Sequence, residues 1–203
     1  LSFVPYSDIS RWTVEFLRNQ TTLVDLKKAK YPLKTVKSFL VSVQYGLSEK
    51  ASEEPIGIPM LRMNNISNGE ISIQDMKYLD VPKSEIKNSL LDRGDILFNR
   101  TNSKELVGKT AVFDLDDSYT FASYLIRLKL DKKQVNINFI NYLFNSEIGR
   151  KQIDLMSRKV LGQANVNSQE LQDFLFPIPS LQVQNQITKK LDGIKDKAQA
   201  LKA

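Results

Sequence analysis

The last fifth of the chain constrains its fold more than any other segment, because it predicts a helix that needs a partner. Apolar residues there recur at alternating steps of four and three, the a/d spacing of a coiled-coil seam: Ile187, Leu191, Ile194, Ala198 and Leu201. Pro177 and Pro179 precede this pattern and predict a stiff extended hinge between the helix and the preceding domain. We therefore expect the seam to pair with another helix. Because the seam is short, packing against its own domain remains the alternative.

Composition removes several classes of chemistry. Cysteine and histidine are both absent, which excludes disulfides, Cys/His zinc sites, thiol nucleophiles and imidazole bases. We expect no cofactor and no metal. No apolar run reaches the roughly 18 residues of a membrane span, and no signal peptide opens the chain, so we expect a cytoplasmic protein without a membrane partner. The net charge of +6 suits a polyanionic ligand. A start at Leu1 without methionine predicts a fragment.

Hydrophobic periodicity predicts an α+β domain with a mixed or antiparallel sheet and flanking helices. Val36, Phe39 and Leu40 share one helical face, which predicts a helix over 33–42. No clear period holds over 1–30, which we treat as a docking arm. Alternating apolar residues predict strands at 59–66, 70–76, 95–98, 109–113 and 124–130. An Asn-Gly turn follows the first of them, and helical spacing returns between 140 and 156.

Three ordered segments carry a resemblance to a known family. The strongest, Leu90 to Phe113, reads LLDRGDILFNRTNSKELVGKTAVF; LRMNNI lies upstream of it and GQANVNSQELQDFLFPIP downstream. Over 34–203 the chain resembles the DNA-specificity subunits of type I restriction-modification systems. The family shows a second proline and an acidic residue where this chain has Ser180 and Val183.

That resemblance implies a target-recognition domain over 1–178, followed by the start of a coiled-coil spacer helix over 179–203. Such a subunit is non-catalytic. It selects one half of a bipartite target in double-stranded DNA, and the methyltransferase subunits, and through them the restriction subunit, carry out the chemistry. Two kinds of protein agree with this resemblance: a half-length subunit that forms a homodimer through the helix, and a piece of a subunit with two recognition domains. A recognition domain of a fused restriction-methylation enzyme fits as well.

Polar segments supply the candidate DNA contacts. Arg suits guanine, Asn and Gln suit adenine, and Lys, Ser and Thr suit the DNA backbone. Loops rich in Asn and Ser are often simple turns, but within the resemblance they become candidate contacts. The candidates are Arg62, Asn64, Asn65, Asn99, Arg100, Thr101, Asn102, Ser103, Lys104, Lys109, Arg158, Lys159, Gln163, Asn165 and Asn167.

Two functions of other classes compete with DNA recognition. Asp80, Glu85 and Lys87 imitate the carboxylate and lysine set of a metal-dependent nuclease, although they surround a polar turn at Pro82. A coiled-coil adaptor that binds only protein is the second. Mg²⁺-dependent cleavage would identify the nuclease, and the absence of salt-sensitive DNA binding would identify the adaptor.

Overall fold

The computed structural model describes residues 29–103, 106–156, 158–160 and 163–201. Its strands, most of them short, are β1 Leu33–Thr35, β2 Leu40–Tyr45, β3 Ile58–Leu61, β4 Ile66–Ser67, β5 Glu70–Ile71, β6 Lys77–Leu79, β7 Ile96–Asn99, β8 Thr101–Asn102, β9 Thr110–Val112, β10 Thr120–Phe121, β11 Leu125–Leu130, β12 Arg158–Val160, β13 Gln163–Asn165 and β14 Leu175–Pro177.

The helices follow the main sheet and end the chain. They are α1 Ile137–Asn145, α2 Glu147–Met156, α3 Ser168–Gln172 and α4 Leu181–Ala200. Short 3-10 turns lie at Val36–Phe39, Met63–Asn65 and Lys87–Ser89. The helices predicted between 140 and 156 and at the end of the chain are confirmed.

The two middle strands of the central sheet, β7 and β11, are almost wholly buried, although they also carry the polar residues Asn99, Arg127 and Lys129. Its strand order is β2-β11-β7-β9, and every pair in it is antiparallel. Phe98 and Leu128 lie in the larger core with the helices and β14. Leu97 and Leu125 lie in a second core that includes β3 and β10. Strand β10 runs parallel to β3, so the chain has the expected α+β fold with mixed sheets.

The predicted Asn-Gly turn joins β4 to β5 as a two-residue hairpin loop. Asn68 and Gly69 both have positive φ, 53° and 80°, as the twist of this hairpin turn requires. The strand expected over 70–76 is much shorter, because after Ile71 the chain turns away and leaves Ile73 60% exposed.

Two sequence-based predictions near the start were wrong. Residues 33–42 form a strand, a 3-10 turn and the beginning of β2 rather than a helix. Val36 and Phe39 fall three apart because the turn buries both, and a short apolar run cannot by itself distinguish a turn and strand from a helix. The strand predicted over 59–66 ends at Leu61, where a 3-10 turn begins.

Helix α4 docks on its own domain through Gln184, which has no exposed surface. Its Oε1 accepts a hydrogen bond from the Asn136 N–H at 2.8 Å, and its Nε2 donates to the carbonyls of Pro179 and Gln134 at 2.9 and 3.3 Å. Farther along, Tyr142 donates its hydroxyl hydrogen to Asp192 at 2.6 Å. Burial and this hydrogen bond raise the pKa of Tyr142 to about 12.

The expected hinge before α4 is absent. Pro177 belongs to β14 and lies opposite Leu33, and the Ile178 N–H donates to the Pro32 carbonyl at 2.9 Å. Pro179 is buried. The prolines therefore fix the start of the helix against the core instead of separating the two.

The seam of α4 is divided between two environments. Ile187 packs against the larger core, and Leu191 is half-buried. Beyond them Ile194 is 64% and Leu201 89% exposed, and Ala198 is exposed as well. The first half of the helix therefore packs against its own domain, as the alternative prediction has it. The apolar positions of the second half have no partner within the described part of the chain. No helix in that part is long and apolar enough to cross a membrane.

Candidate nucleic-acid interface

A three-stranded antiparallel sheet brings two of the three predicted polar segments together. Its order is β12-β13-β8, and Asn165 lies opposite Arg158 on one side and opposite Thr101 on the other. The Val166 N–H donates to the Arg100 carbonyl at 2.9 Å and extends the pairing by one residue. Two stretches that are distant in sequence thus become neighbouring strands. We call this sheet the polar sheet.

Arg100 is held at the edge of the polar sheet by an aromatic ring. Its Cζ lies 5.0 Å from the centre of the Tyr45 ring, within cation–π range. The Tyr45 hydroxyl accepts a hydrogen bond from the Ser168 N–H at 2.9 Å, and the Arg100 N–H donates to the Tyr124 carbonyl at 3.0 Å. Among the described residues, no hydrogen bond or ion pair engages the guanidinium.

Buried polar atoms without partners lie on the same strands. Within the described residues, the Thr101 hydroxyl, the Asn165 carbonyl oxygen and the Arg100 Nε are buried and form no hydrogen bond. Thr101 and Asn165 are paired in register, so two of these atoms belong to adjacent residues. Buried polar groups are normally satisfied, and such a group costs roughly 1–3 kcal/mol when it is not. A ligand that supplies hydrogen-bonding groups would offset this cost.

Asn65 is a correction to the predicted contact set, because its side chain holds the fold. The residue is fully buried, and its Oδ1 accepts from the Arg62 N–H at 2.9 Å. Its Nδ2 donates to the carbonyls of Ser72 and Gln74, both at 2.9 Å. Arg62 is half-buried and donates from Nη2 to the Asp75 carbonyl, so its fork of donors is already partly used.

Asn99 and Asn167 are further corrections. Asn99 is 1% exposed, and its Nδ2 donates to the Leu106 carbonyl at 3.2 Å, which closes the loop after β7. Asn167 caps α3, because its Oδ1 accepts from the Glu170 N–H at 2.8 Å while the Glu170 carboxylate accepts from the Asn167 N–H at 2.9 Å. Each side chain thus has one atom bonded to the protein backbone, while the Asn99 Oδ1 is buried and has no hydrogen-bond partner among the described residues.

The other candidate DNA contacts differ in exposure and in position. Asn64 is exposed, whereas Ser103 and Lys109 are half-buried. Lys104 lies outside the described residues. For four others only the backbone is described, and all four lie on strands of the polar sheet: Asn102, Arg158, Lys159 and Gln163. In the described part of the chain, no hydrogen bond or strand pairing joins Asn64 or Arg62 to the polar sheet.

Two residues of this surface are missing from the predicted set. Tyr45 is 40% and Tyr124 49% exposed, although both adjoin buried strands. Tyr124 was expected in line with the apolar residues of β11, and Tyr45 was expected at the end of a helix. A tyrosine at the end of a strand can be recognised in a sequence as a candidate contact residue. For Tyr45, this requires that β2 first be predicted as a strand.

The family-like stretch before Arg100 is largely structural. Gly94 has a φ of +94°, and the Asp95 carboxylate accepts from the Asp92 N–H at 3.0 Å. Asp95 is 3% exposed and lies 3.7 Å from Arg127 and 3.6 Å from Lys129. Burial raises the pKa of Asp95 and outweighs both cations. A hydrogen bond from Lys129 lowers the pKa of the exposed Asp92.

The nuclease alternative finds no geometric support in the described residues. Asp80, Glu85 and Lys87 are all exposed, and Glu85 belongs to a turn in which its N–H donates to the Pro82 carbonyl at 3.0 Å. Within the same part of the chain, no group of three or more acidic side chains is arranged to hold a metal ion.

Comparison with known proteins identifies two similar specificity subunits. The chain is 27% identical to the type I restriction enzyme MjaX specificity subunit of Methanocaldococcus jannaschii over 163 residues, which cover 79% of this chain and 38% of that protein. It is 26% identical to the EcoKI specificity subunit of Escherichia coli K12 over 160 residues, covering 77% and 34%. The chain thus spans little more than a third of the length of these relatives.

A solved structure of a specificity subunit shares the fold of this chain. The crystal structure of the HsdS subunit from Thermoanaerobacter tengcongensis superimposes with a TM-score of 0.61 at 18% identity, over 93% of this chain and 45% of that one. The family model described as the type I restriction modification DNA specificity domain matches residues 41–203, most of the chain. The chain therefore belongs to the type I restriction-modification DNA specificity domain family.

Proposed function

We propose that this chain is a target-recognition domain that selects one half of a bipartite DNA sequence for a type I restriction-modification complex. The observation that carries the proposal is the polar sheet with Arg100 beside it, whose guanidinium is oriented by Tyr45 and engaged by no described acceptor. Arginine is the residue best suited to guanine in the major groove, because its fork matches the O6 and N7 acceptors.

The proposed contact surface is narrower than the sequence predicts. It consists of residues of the polar sheet and its edges that are at least partly described: Arg100, Thr101, Asn165, Ser103 and Lys109. Asn102, Arg158, Lys159, Gln163 and Lys104 extend it by their position in the chain. Asn64 and Arg62 form a separate, secondary candidate contact. Because most protein–DNA hydrogen bonds go to phosphate and sugar, only a few of these side chains would read bases.

The chain itself is proposed to be non-catalytic and to depend on partners for chemistry. The relatives are named as specificity subunits of restriction enzymes. We propose methyltransferase subunits, and through them a restriction subunit, as the partners that act on the DNA this domain selects. A cytoplasmic location is part of this proposal, since its ligand is cellular DNA. Residues 1–178 would form the recognition domain and 179–203 the start of the spacer helix.

The second half of α4 is proposed as a helix-pairing surface. Ile194 and Leu201 are exposed on it, and Ala198 lies between them. Burying an Ile or Leu side chain is worth roughly 1.5–3 kcal/mol, which favours pairing with a helix of a second copy or of a longer chain. A homodimer formed this way would place two recognition domains in one particle.

Salt-dependent DNA binding by the chain tests the proposal. The net charge of +6 predicts retention of duplex DNA at low salt, with a log–log slope of about −0.9 for each phosphate neutralised. A salt-independent interaction, or none at low salt, would contradict it and favour the protein-only adaptor. Mg²⁺-dependent cleavage by the purified chain, abolished by Glu85→Gln, would favour the nuclease instead.

A further inference from the structure

We infer that Tyr45 positions the Arg100 guanidinium for base readout, as a flat support that fixes the direction of its donors. The inference rests on the proposed function and adds to it a residue outside the polar segments. Tyr45 would touch Arg100 and not the DNA base that Arg100 reads. It would therefore act on specificity only through that arginine.

The Tyr45 ring is fixed at both ends. Its backbone belongs to the edge strand β2 of the central sheet and lies opposite Ile126. Its hydroxyl accepts from the Ser168 N–H at 2.9 Å, at the first residue of α3. A tyrosine held by a strand at one end and by a helix start at the other loses little freedom when a ligand binds. It is therefore a rigid platform even though 40% of its surface is exposed.

The Arg100 backbone is fixed as firmly, which leaves its side chain as the variable part. The Arg100 N–H donates to the Tyr124 carbonyl at 3.0 Å, and its carbonyl accepts from the Val166 N–H at 2.9 Å. No carboxylate in the described residues forms an ion pair with it, and its buried Nε forms no hydrogen bond. Among those residues, the Tyr45 ring is the group that orients the guanidinium plane, with Cζ 5.0 Å from the ring centre.

An aromatic support suits base readout better than a carboxylate would. A carboxylate partner would occupy the guanidinium fork, whereas a ring face attracts the cation and leaves the donors at its edge free. Bidentate contact with a guanine needs the plane and direction of that fork to be fixed. Ordering a free arginine side chain on binding costs affinity, and a support that orders it beforehand reduces this cost.

A double-mutant cycle tests the inference. The variants Tyr45→Leu, Arg100→Ala and their combination would be made in the full-length protein and assembled with its methyltransferase subunits. Duplexes selected by the wild-type complex from a randomised DNA library supply the preferred sequence. The measured quantity is discrimination, the ratio of dissociation constants for that duplex and for one changed at the base pair that Arg100→Ala relaxes most.

Tyr45→Leu should lower discrimination about two- to fivefold, the range expected for an exposed cation–π contact. Tyr45→Phe keeps the ring but loses the hydrogen bond to Ser168, so it should lower discrimination less than Tyr45→Leu does. In the Arg100→Ala background, Tyr45→Leu should have no further effect. Val41→Ala is the matched control, because Val41 is 65% exposed on the same strand and should leave discrimination unchanged. Tyr45→Met, which removes the ring but keeps length, gives a second reading if Tyr45→Leu folds poorly.

Different outcomes separate the two claims. A wild-type complex that selects no sequence would overturn the proposed function, and the inference with it. If Arg100→Ala lowers discrimination but neither Tyr45→Leu nor Tyr45→Met does, the inference fails and the proposed function stands. The inference also fails if the losses from Tyr45→Leu and Arg100→Ala multiply in the double variant, since Tyr45 would then act independently.

Discussion

Neighbouring asparagines in this domain have different structural roles, which their sequence context does not distinguish. Asn64 and Asn65 are adjacent, yet Asn64 is exposed while Asn65 is buried and bonded to three backbone groups. Burial and bonding, which depend on the loop geometry, decide which of the two can meet DNA.

Replacing Asn65 should therefore destabilise the fold. Asn65→Ala leaves the Arg62 N–H and the Ser72 and Gln74 carbonyls without their partner, and we expect a loss of about 2–3 kcal/mol in the free energy of unfolding. Asn64→Ala is the matched control and should change it by less than about 0.5 kcal/mol. Urea denaturation measures both. Equal stabilities of the two variants would show that the Asn65 amide does not hold this loop.

The buried pair of Asp95 and Arg127 predicts a pH-dependent loss of stability. Arg127→Met leaves the Asp95 carboxylate with less compensation and removes the donors to the Leu90 and Asn88 carbonyls, at a combined cost of about 3–5 kcal/mol near pH 7. Burial raises the pKa of Asp95, so the folded state takes up a proton more readily than the unfolded state. The protonated Asp95 carboxyl therefore stabilises the folded state at low pH, and this contribution is lost as the pH rises through the raised pKa of Asp95. Arg127→Met should therefore cost less at pH 5 than at pH 7.

Arg93→Met is the control for that pH series. Arg93 also pairs with an aspartate, Asp116, but the two side chains are 61% and 88% exposed. An exposed pair contributes about 0–1 kcal/mol, so this variant should stay close to the wild type at both pH values. Urea midpoints at pH 5 and pH 7 decide the matter, and a pH-independent loss in Arg127→Met would contradict the role given to Asp95.

Elements differ in how well the sequence alone predicted them. Strands β7, β9 and β11 and the helices α1 and α2 followed from their apolar residues, because each places them in a core, and α4 followed from a heptad pattern of which only the first half is packed. The region from 33 to 45 did not, since a 3-10 turn followed by a strand mimics helical spacing. That error also concealed Tyr45. The pairing of β8 with β13 is a long-range contact with no local signal, so the polar sheet could not be predicted.

The attachment of α4 depends on Gln184. Gln184→Ala removes two hydrogen bonds between the helix and the domain and a third to the Pro179 carbonyl, and we expect it to cost about 2 kcal/mol. Amide hydrogen exchange in the first half of α4 should become faster. Gln186→Ala, at an exposed position of the same helix, should leave exchange unchanged. Unchanged exchange in Gln184→Ala would mean that the other contacts of the helix, such as Ile187 with the core and Asp192 with Tyr142, are enough to fix it.

Self-association should depend on the second half of α4 and not on the first. Ile194→Asp should give a folded protein that stays monomeric, because Ile194 is exposed and outside the core. Ile187→Asp should instead destabilise the domain, since Ile187 packs against the larger core and a buried charge is costly. Sedimentation at several concentrations, with melting curves, measures both. A wild-type chain that stays monomeric at high concentration would mean that this face awaits a helix of another protein.

At the scale of the molecule, the described residues form a body with three apolar clusters, a polar sheet beside it and a helix docked on it. Gly94 and Asp95, which lie in the stretch that resembles the family, serve the fold. The side chains proposed to meet DNA are few and lie on short strands and loops.

Mapping the methylated sites of genomic DNA tests the central claim most directly. It would be done with the full-length protein and its methyltransferase subunits, in wild type, Arg100→Ala and Lys109→Ala. We expect Arg100→Ala to relax one base pair of one half-site, at a cost of about 1–3 kcal/mol in discrimination, and Lys109→Ala to reduce methylation at all sites without changing the motif. An unchanged motif with undiminished methylation in both variants would contradict the assignment of DNA recognition to this surface.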